Sequence, residues 1–138
     1  MRLDDGRVVS NFIVQALKGD PLTIFGDGCQ TRSFCFVEDE VRGLIALLDS
    51  GEHHPVNLGA NRELLIKELV EVVTELTGFE GRIVWDSSKP DGQPRRSVDA
   101  SRARELFGFE ARTDFRDGMR ETIDWYLAHR AEAEARRN

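Results

Sequence analysis

Amphipathic helical segments alternate with short runs of β-branched and aromatic residues along this chain, and that order most constrains its fold. Helix-spaced apolar stripes are found at residues 8–19, 37–50, 65–76 and 101–107 and in a final helix capped by Thr113 or Asp114. Strand-like runs are found at residues 22–25, 33–37, 55–59 and 82–85. The alternation predicts an α/β fold, a small mixed sheet with flanking helices, in which the first two strands need not pair directly.

Length and charge narrow the classes of function. The 138 residues carry a formal net charge of −6, which predicts one domain over residues 1–138 and argues against a nucleic-acid surface. No apolar run approaches the roughly 20 residues needed to cross a bilayer, and the first residues lack a secretory h-region. We therefore expect no membrane partner and a cytoplasmic location, with Cys29 and Cys35 reduced.

The polar stretch GDGCQTRSF, residues 26–34, raises the first question of chemistry. Its G-x-G lacks a third glycine and precedes a strand instead of a helix, which favours a turn over a dinucleotide loop. Arg32 stands where a strand begins, and its guanidinium suits two oxygens of a phosphate. The alternative is a surface arginine paired with Asp27 or Glu38.

A second polar loop, KPDGQPRR at residues 89–96, adds three cations. Lys89, Arg95 and Arg96 either face a pocket, held by the restricted backbone of Pro90, Gly92 and Pro94, or are solvated loop charges. His53 and His54 have no ligand set around them beyond Glu52, so we expect exposed histidines and no metal site.

Two longer stretches resemble known enzymes. The run DDGRVVSNFIVQALKGDPLTIFGDGCQTRSFCFVEDEVRGL, continued by PVNLGANRELLIKELVEVV, resembles the middle of UDP-glucuronate decarboxylases and related extended short-chain dehydrogenases. The later run WDSSKPDGQPRRSVDASRARELFGF looks similar to GDP-fucose synthases and other NAD-dependent epimerases. In these families a Rossmann half binds NAD(P), and the C-terminal half grips a nucleotide-diphosphate sugar.

The resemblance implies that this chain corresponds to the C-terminal, substrate-binding half, with the Rossmann half missing. The sequence has no G-x-x-G-x-x-G after an opening strand, and its sole tyrosine, Tyr126, is followed by Leu-Ala-His-Arg, so a Tyr-x-x-x-Lys pair is absent. NAD(P) is thus implied for the full-length family, and we expect none to bind this chain alone and no catalysis by it.

The resemblance also implies roles for single residues. Arg32 matches the family arginine that contacts the diphosphate, and Asn11 matches a position lining the nucleotide-sugar cleft. Thr23, Ile24 and Phe25 match the strand that borders the base. Lys89 matches a diphosphate-contacting cation of the fucose-synthase pattern, assisted by Arg95 or Arg96. The alternative function is a non-catalytic module that associates with itself or with a separate Rossmann subunit.

Overall fold

The structure, a computed structural model, describes residues 7–89 and 92–135. Its elements follow the alternation predicted from the sequence. In chain order they are α1 (Val8–Lys18), β1 (Leu22–Phe25), β2 (Thr31–Ser33), α2 (Val37–Ser50), β3 (Glu63–Leu65), α3 (Ile66–Thr77), β4 (Ile83–Asp86), β5 (Arg95–Arg96), α4 (Ser101–Phe107), α5 (Phe115–Ala128) and α6 (Arg130–Ala135). The predicted α/β class is confirmed.

Residues next to the helix ends, which can be recognised in the sequence, explain where α1 ends and where α5 begins. Helix α1 ends at Gly19, whose φ of 74° lies in the left-handed region that glycine adopts without strain. Helix α5 begins after Asp114, whose carboxylate accepts hydrogen bonds from the N–H groups of Arg116 and Asp117. Both boundaries confirm the predicted ones.

The strands form two small sheets. Strand β1 pairs in parallel with β4, aligning Leu22 with Ile83 and Phe25 with Asp86. Strand β2 is the centre of a three-stranded sheet, antiparallel to β3 and parallel to β5. The turn between β1 and β2 therefore joins two sheets and is not a hairpin, which decides the pairing that the sequence left open.

Several predicted strand boundaries were wrong. Strand β2 covers Thr31–Ser33 instead of 33–37, because Phe34 turns to pack on Phe115 at 5.6 Å between ring centroids and Phe36 becomes the residue before α2. Residues 55–59 form no strand: none of the described strands pairs with them, and a β-ladder needs a neighbour. Strands β3 and β5 and the short helix α6 were not predicted.

The core lies between α1, α3, α5 and β1. Ile13, Leu69 and Val73 are completely buried, and Tyr126 of α5 is 1% exposed. Strand β3 of the three-stranded sheet leads directly into α3, and its Leu64 is 5% exposed. Among residues 7–89 and 92–135, no helix has both the length and the apolar character needed to cross a membrane.

Candidate functional site

Two arginines lie side by side on one face of the three-stranded sheet. Arg32 of β2 is the register partner of Arg96 in the parallel strand β5. Register partners point to the same face and their strands lie about 4.8 Å apart. Leu64 of β3, opposite Arg32 on the other side of β2, completes the row.

Gln93 connects the two guanidinium groups. Nη1 of Arg32 donates to the main-chain oxygens of Thr31, at 2.7 Å, and Gln93, at 2.8 Å. Nε of Arg96 donates to Oε1 of Gln93 at 3.4 Å. The two guanidinium groups therefore lie beside the same residue and on the same face of the sheet. This arrangement suits an anion that accepts hydrogen bonds from both of them.

Arg32 does not make the ion pair that was the alternative to phosphate binding. It donates to main-chain carbonyls instead of Asp27 or Glu38. The carboxylate of Asp27 accepts the N–H of Cys29 at 2.8 Å, and this hydrogen bond lowers the pKa of Asp27. The charge of Arg32 is thus not neutralised by either predicted partner.

Arg95 points to the opposite face from Arg96, because neighbouring residues of a strand alternate. Its Nε donates to both carboxylate oxygens of Glu63, at 3.0 and 2.9 Å. The Arg95 guanidinium and then the Thr31 hydroxyl lower the pKa of Glu63 to about 2. Of the two predicted loop arginines, the structure therefore brings Arg96, and not Arg95, beside Arg32.

The glycine-rich stretch is a turn held by main-chain hydrogen bonds. The carbonyls of Gly28 and Gln30 accept the N–H groups of Lys67 and Ile66, at 3.1 and 3.0 Å. These are the first N–H groups of α3, the groups that a phosphate would use at a helix N-terminus. Because the turn already satisfies them, this stretch is a connector, as predicted, and not a dinucleotide loop.

Lys89 and Phe25, the last residue of the strand predicted to border the base, both lie near Asp86 of the two-stranded sheet. Lys89 is exposed and follows β4, and its N–H donates to the carbonyl of Asp86 at 3.3 Å. Asp86 is the register partner of Phe25, which is 51% exposed. Ile24 is 1% exposed within the core, which leaves this predicted residue almost no surface for contact with a ligand, and Thr23 is half-buried. Pro90 and Asp91 of the predicted KPDG motif lie outside the described residues.

Asn11 lies on α1, half-buried, and its N–H donates to the carbonyl of Arg7 at 3.0 Å.

His53 and His54 are exposed, as predicted, and both donate their N–H groups to Glu52. Cys29 and Cys35 are free thiols. Within the described ranges, no three His, Cys, Asp or Glu side chains are grouped as a metal site requires.

Sequence reasoning missed a cavity of ≈ 540 Å³ beside the start of α5. Phe34, Asn61, Arg112 and Phe115 are among its lining residues, and Leu64 forms part of its wall. All eight predicted site residues are described, and none of them lines this cavity. The residues that line the cavity come from four segments far apart in the sequence, so no local motif could have predicted the cavity.

Comparisons with known proteins bear on this geometry. Residues 2–59 match the NAD dependent epimerase/dehydratase family. UDP-glucuronic acid decarboxylase 3 of Arabidopsis thaliana is 44% identical over 86% of this chain and 35% of its own length. The chain is thus similar to the NAD dependent epimerase/dehydratase family and to UDP-glucuronic acid decarboxylases. It spans about a third of the length of the curated relatives it matches.

Solved structures share the fold. An epimerase of Methanothermobacter thermautotrophicus has a TM-score of 0.86 at 32% identity, over 94% of this chain and 39% of its own. The UDP-glucuronic acid 4-epimerase of Bacillus cereus, solved with UDP-glucuronic acid and NAD, has a TM-score of 0.81 at 27% identity, over 93% and 41%. The similarity of residues 85–109 to GDP-fucose synthases stays a prediction.

The glycine turn of this chain does not have the form of a loop that binds NAD, the cofactor of the family. A dinucleotide loop leads from a strand into a helix, whereas here the glycine turn leads from β1 into β2. Its carbonyls cover the nearest helix N-terminus.

Proposed function

We propose that this chain is the nucleotide-sugar-binding portion of an NAD-dependent UDP-sugar decarboxylase or epimerase. The observation that carries the proposal is the register of Arg32 with Arg96, which mounts two cations on one sheet face. Similar proteins that act on or bind UDP-sugars support the substrate class. The cytoplasmic location predicted from the sequence belongs to this proposal.

In this proposal Arg32 and Arg96 share the diphosphate. A guanidinium donates two parallel hydrogen bonds to phosphate oxygens, and a charged hydrogen bond contributes about 1.5–3 kcal/mol. Lys89, at the end of β4, adds a third cation from the neighbouring sheet. Asn11, Thr23 and Phe25 border the remainder of the nucleotide.

Alone, the chain binds and does not catalyse. Proton transfer in this chemistry needs an activated hydroxyl, and the 138 residues hold no Tyr-x-x-x-Lys pair. Incubation with UDP-glucuronic acid and NAD should therefore release no CO2 and yield no epimerised UDP-sugar. Release of CO2 or formation of an epimer by the purified chain would contradict this part of the proposal.

Calorimetric titration with UDP tests the binding site. We expect Arg32→Ala and Arg96→Ala each to weaken UDP binding by about 10- to 100-fold, the loss of one charged contact. Arg120→Ala is the matched control, because Arg120 is an exposed arginine paired with Asp117 on α5. Equal affinity in all four proteins would remove both arginines from the assigned role.

A second proposed role, association with a nucleotide-binding half, rests on an apolar surface. The α2 stripe consists of Val37, Val41, Leu44, Ile45 and Leu48, which are between 48% and 82% exposed. The opposite side of α2 is packed, with Gly43 against the ring of Phe109. Exposed stripes of this kind mark interaction surfaces.

The occupant that we propose for the α2 stripe is a Rossmann-type half. The curated relatives are about three times as long as the matched segment, so most of their length lies outside it. Residues 55–59, just after α2, form a strand-like run without a described partner. An unpaired run beside an apolar helix is what a sheet-and-helix layer would cover. In the isolated chain, we expect a second copy of the chain to cover the α2 stripe in place of the Rossmann-type half.

A further inference from the structure

Strand β5 is too short to hold its own position. It has two residues, Arg95 and Arg96, and its ladder to β2 consists of the pairs Thr31–Arg95 and Arg32–Arg96. The N–H of Thr31 also donates to the carbonyl of Pro94 at 2.9 Å. Isolated strand pairs of this length are marginal in water, so other contacts must fix Arg96 beside Arg32.

Glu63 of β3 supplies such a contact from across the sheet. Beyond its two bonds from Nε, its Oε1 accepts Nη2 of Arg95 at 2.5 Å, and its Oε2 accepts the Thr31 hydroxyl at 2.8 Å. One carboxylate thus binds β2 and β5 while belonging to β3. A fork-to-fork pair fixes direction as well as distance, which a single point charge does not.

The contact acts on the face opposite to the paired arginines. Thr31, Glu63 and Arg95 share one face, whereas Arg32 and Arg96 share the other. When Arg95 is held against Glu63, the next residue is turned to the opposite side. The orientation of Arg96 is therefore coupled to the Glu63–Arg95 pair through one peptide unit.

We propose that Glu63 is a positioning residue for the diphosphate site: by binding Arg95 and Thr31 it holds β5 in register and presents Arg96 beside Arg32. The inference rests on the proposed function, because it assigns Glu63 to that same site. Arg95 then has a structural role as the partner of Glu63 and makes no contact with the phosphate.

The test compares UDP affinity in Glu63→Gln with that in the unchanged chain by calorimetry. We expect about a five- to tenfold loss, part of what the loss of Arg96 itself would cause. Glu75→Gln is the matched control, since Glu75 pairs with Arg116 at 2.7 Å across α3 and α5. The control should leave affinity unchanged. Exchanging the partners, as Glu63→Arg with Arg95→Glu, should recover most of the loss.

A double-mutant cycle separates positioning from general destabilisation. Because Glu63 acts through Arg96, Glu63→Gln should cause no further loss in an Arg96→Ala background. An equal loss in both backgrounds would overturn the inference, as would unchanged affinity in Glu63→Gln.

Hydrogen exchange gives a readout that needs no ligand. The Thr31 amide, bonded to Pro94, should exchange faster in Glu63→Gln and at the unchanged rate in Glu75→Gln. If the unchanged chain binds no UDP, the proposed function fails while this exchange result still reports on β5. If UDP binds and Arg32→Ala abolishes binding but Thr31 exchange is unaltered in Glu63→Gln, only the positioning role fails.

Discussion

Asp39 is a buried electrostatic anchor of the fold, and replacing it with asparagine gives a prediction with a calculable size. Asp39 is 5% exposed on α2. Its carboxylate accepts the N–H groups of Arg112, at 3.0 Å, and Thr113, at 2.8 Å, and the guanidinium of Arg42 at 2.5 Å. It therefore ties α2 to the segment that leads into α5 and lines the cavity.

The magnitude follows from the pKa of Asp39. Burial opposes ionisation of Asp39, but hydrogen bonds from Thr113, Arg42 and Arg112 outweigh it and lower the pKa from 3.8 to about 2. This difference corresponds to roughly 2 kcal/mol of folding free energy at pH 7. Because the folded pKa is the lower one, the contribution is complete above about pH 4 and declines as pH falls towards 2.

Urea denaturation of the chain and of Asp39→Asn, at several pH values, measures this contribution. We expect Asp39→Asn to lower the free energy of unfolding by roughly 2 kcal/mol at pH 7 and by about half as much at pH 3. Glu38→Gln, an exposed neighbour in the same helical turn, is the control and should change stability by less than about 0.5 kcal/mol. A difference between the chain and Asp39→Asn that does not vary with pH would refute the electrostatic reasoning.

Two further predictions concern the turn and the α2 stripe. Gly28→Ala should lower the free energy of unfolding by about 2–3 kcal/mol, since a Cβ there would lie 2.5 Å from the Trp85 ring at a φ of +73°. Gly19→Ala, at φ +74° in open space, should cost only about 1 kcal/mol, and equal losses by urea denaturation would contradict the packing argument. In light scattering, the chain should show concentration-dependent association that Ile45→Lys with Leu48→Lys abolishes and Leu127→Lys, a change at an exposed α5 leucine, does not. A monomer at every concentration would count against the α2 stripe as an interface.

The helices could be predicted because their signals are local. The stripe that places Ile13 and Ala16 on one face of α1, and the glycine that follows it, are both read within one segment. Strands depend on partners far away in sequence. Strand β3 begins at a glutamate and ends at Leu65, which belongs to the apolar stripe of the predicted helix, and β5 consists of two arginines that resemble a solvated loop.

Residues 55–59 show the opposite error, because they were predicted to form a strand and form none. Its apolar character is real, but backbone hydrogen bonds require a second strand, and none of the described strands supplies one. A pattern can indicate that a segment is suited to a sheet. It cannot indicate which strand will pair with it.

The candidate site was predictable in its residue types but not in its geometry. Arg32 and Arg96 were both candidates, Arg32 through family resemblance and Arg96 as one of two adjacent arginines. Choosing between Arg95 and Arg96 requires the register of β5 on β2, which the sequence does not encode locally. The role of Glu63 was missed because its partner, Arg95, lies 32 residues away.

The most direct measurement of the central claim is a crystal structure of the chain with UDP-glucuronic acid bound. The account predicts diphosphate oxygens within hydrogen-bonding distance of both Arg32 and Arg96, with Arg95 still paired to Glu63. A diphosphate bound in the cavity beside Asn61, or one that Arg95 contacts while Arg96 faces solvent, would contradict it.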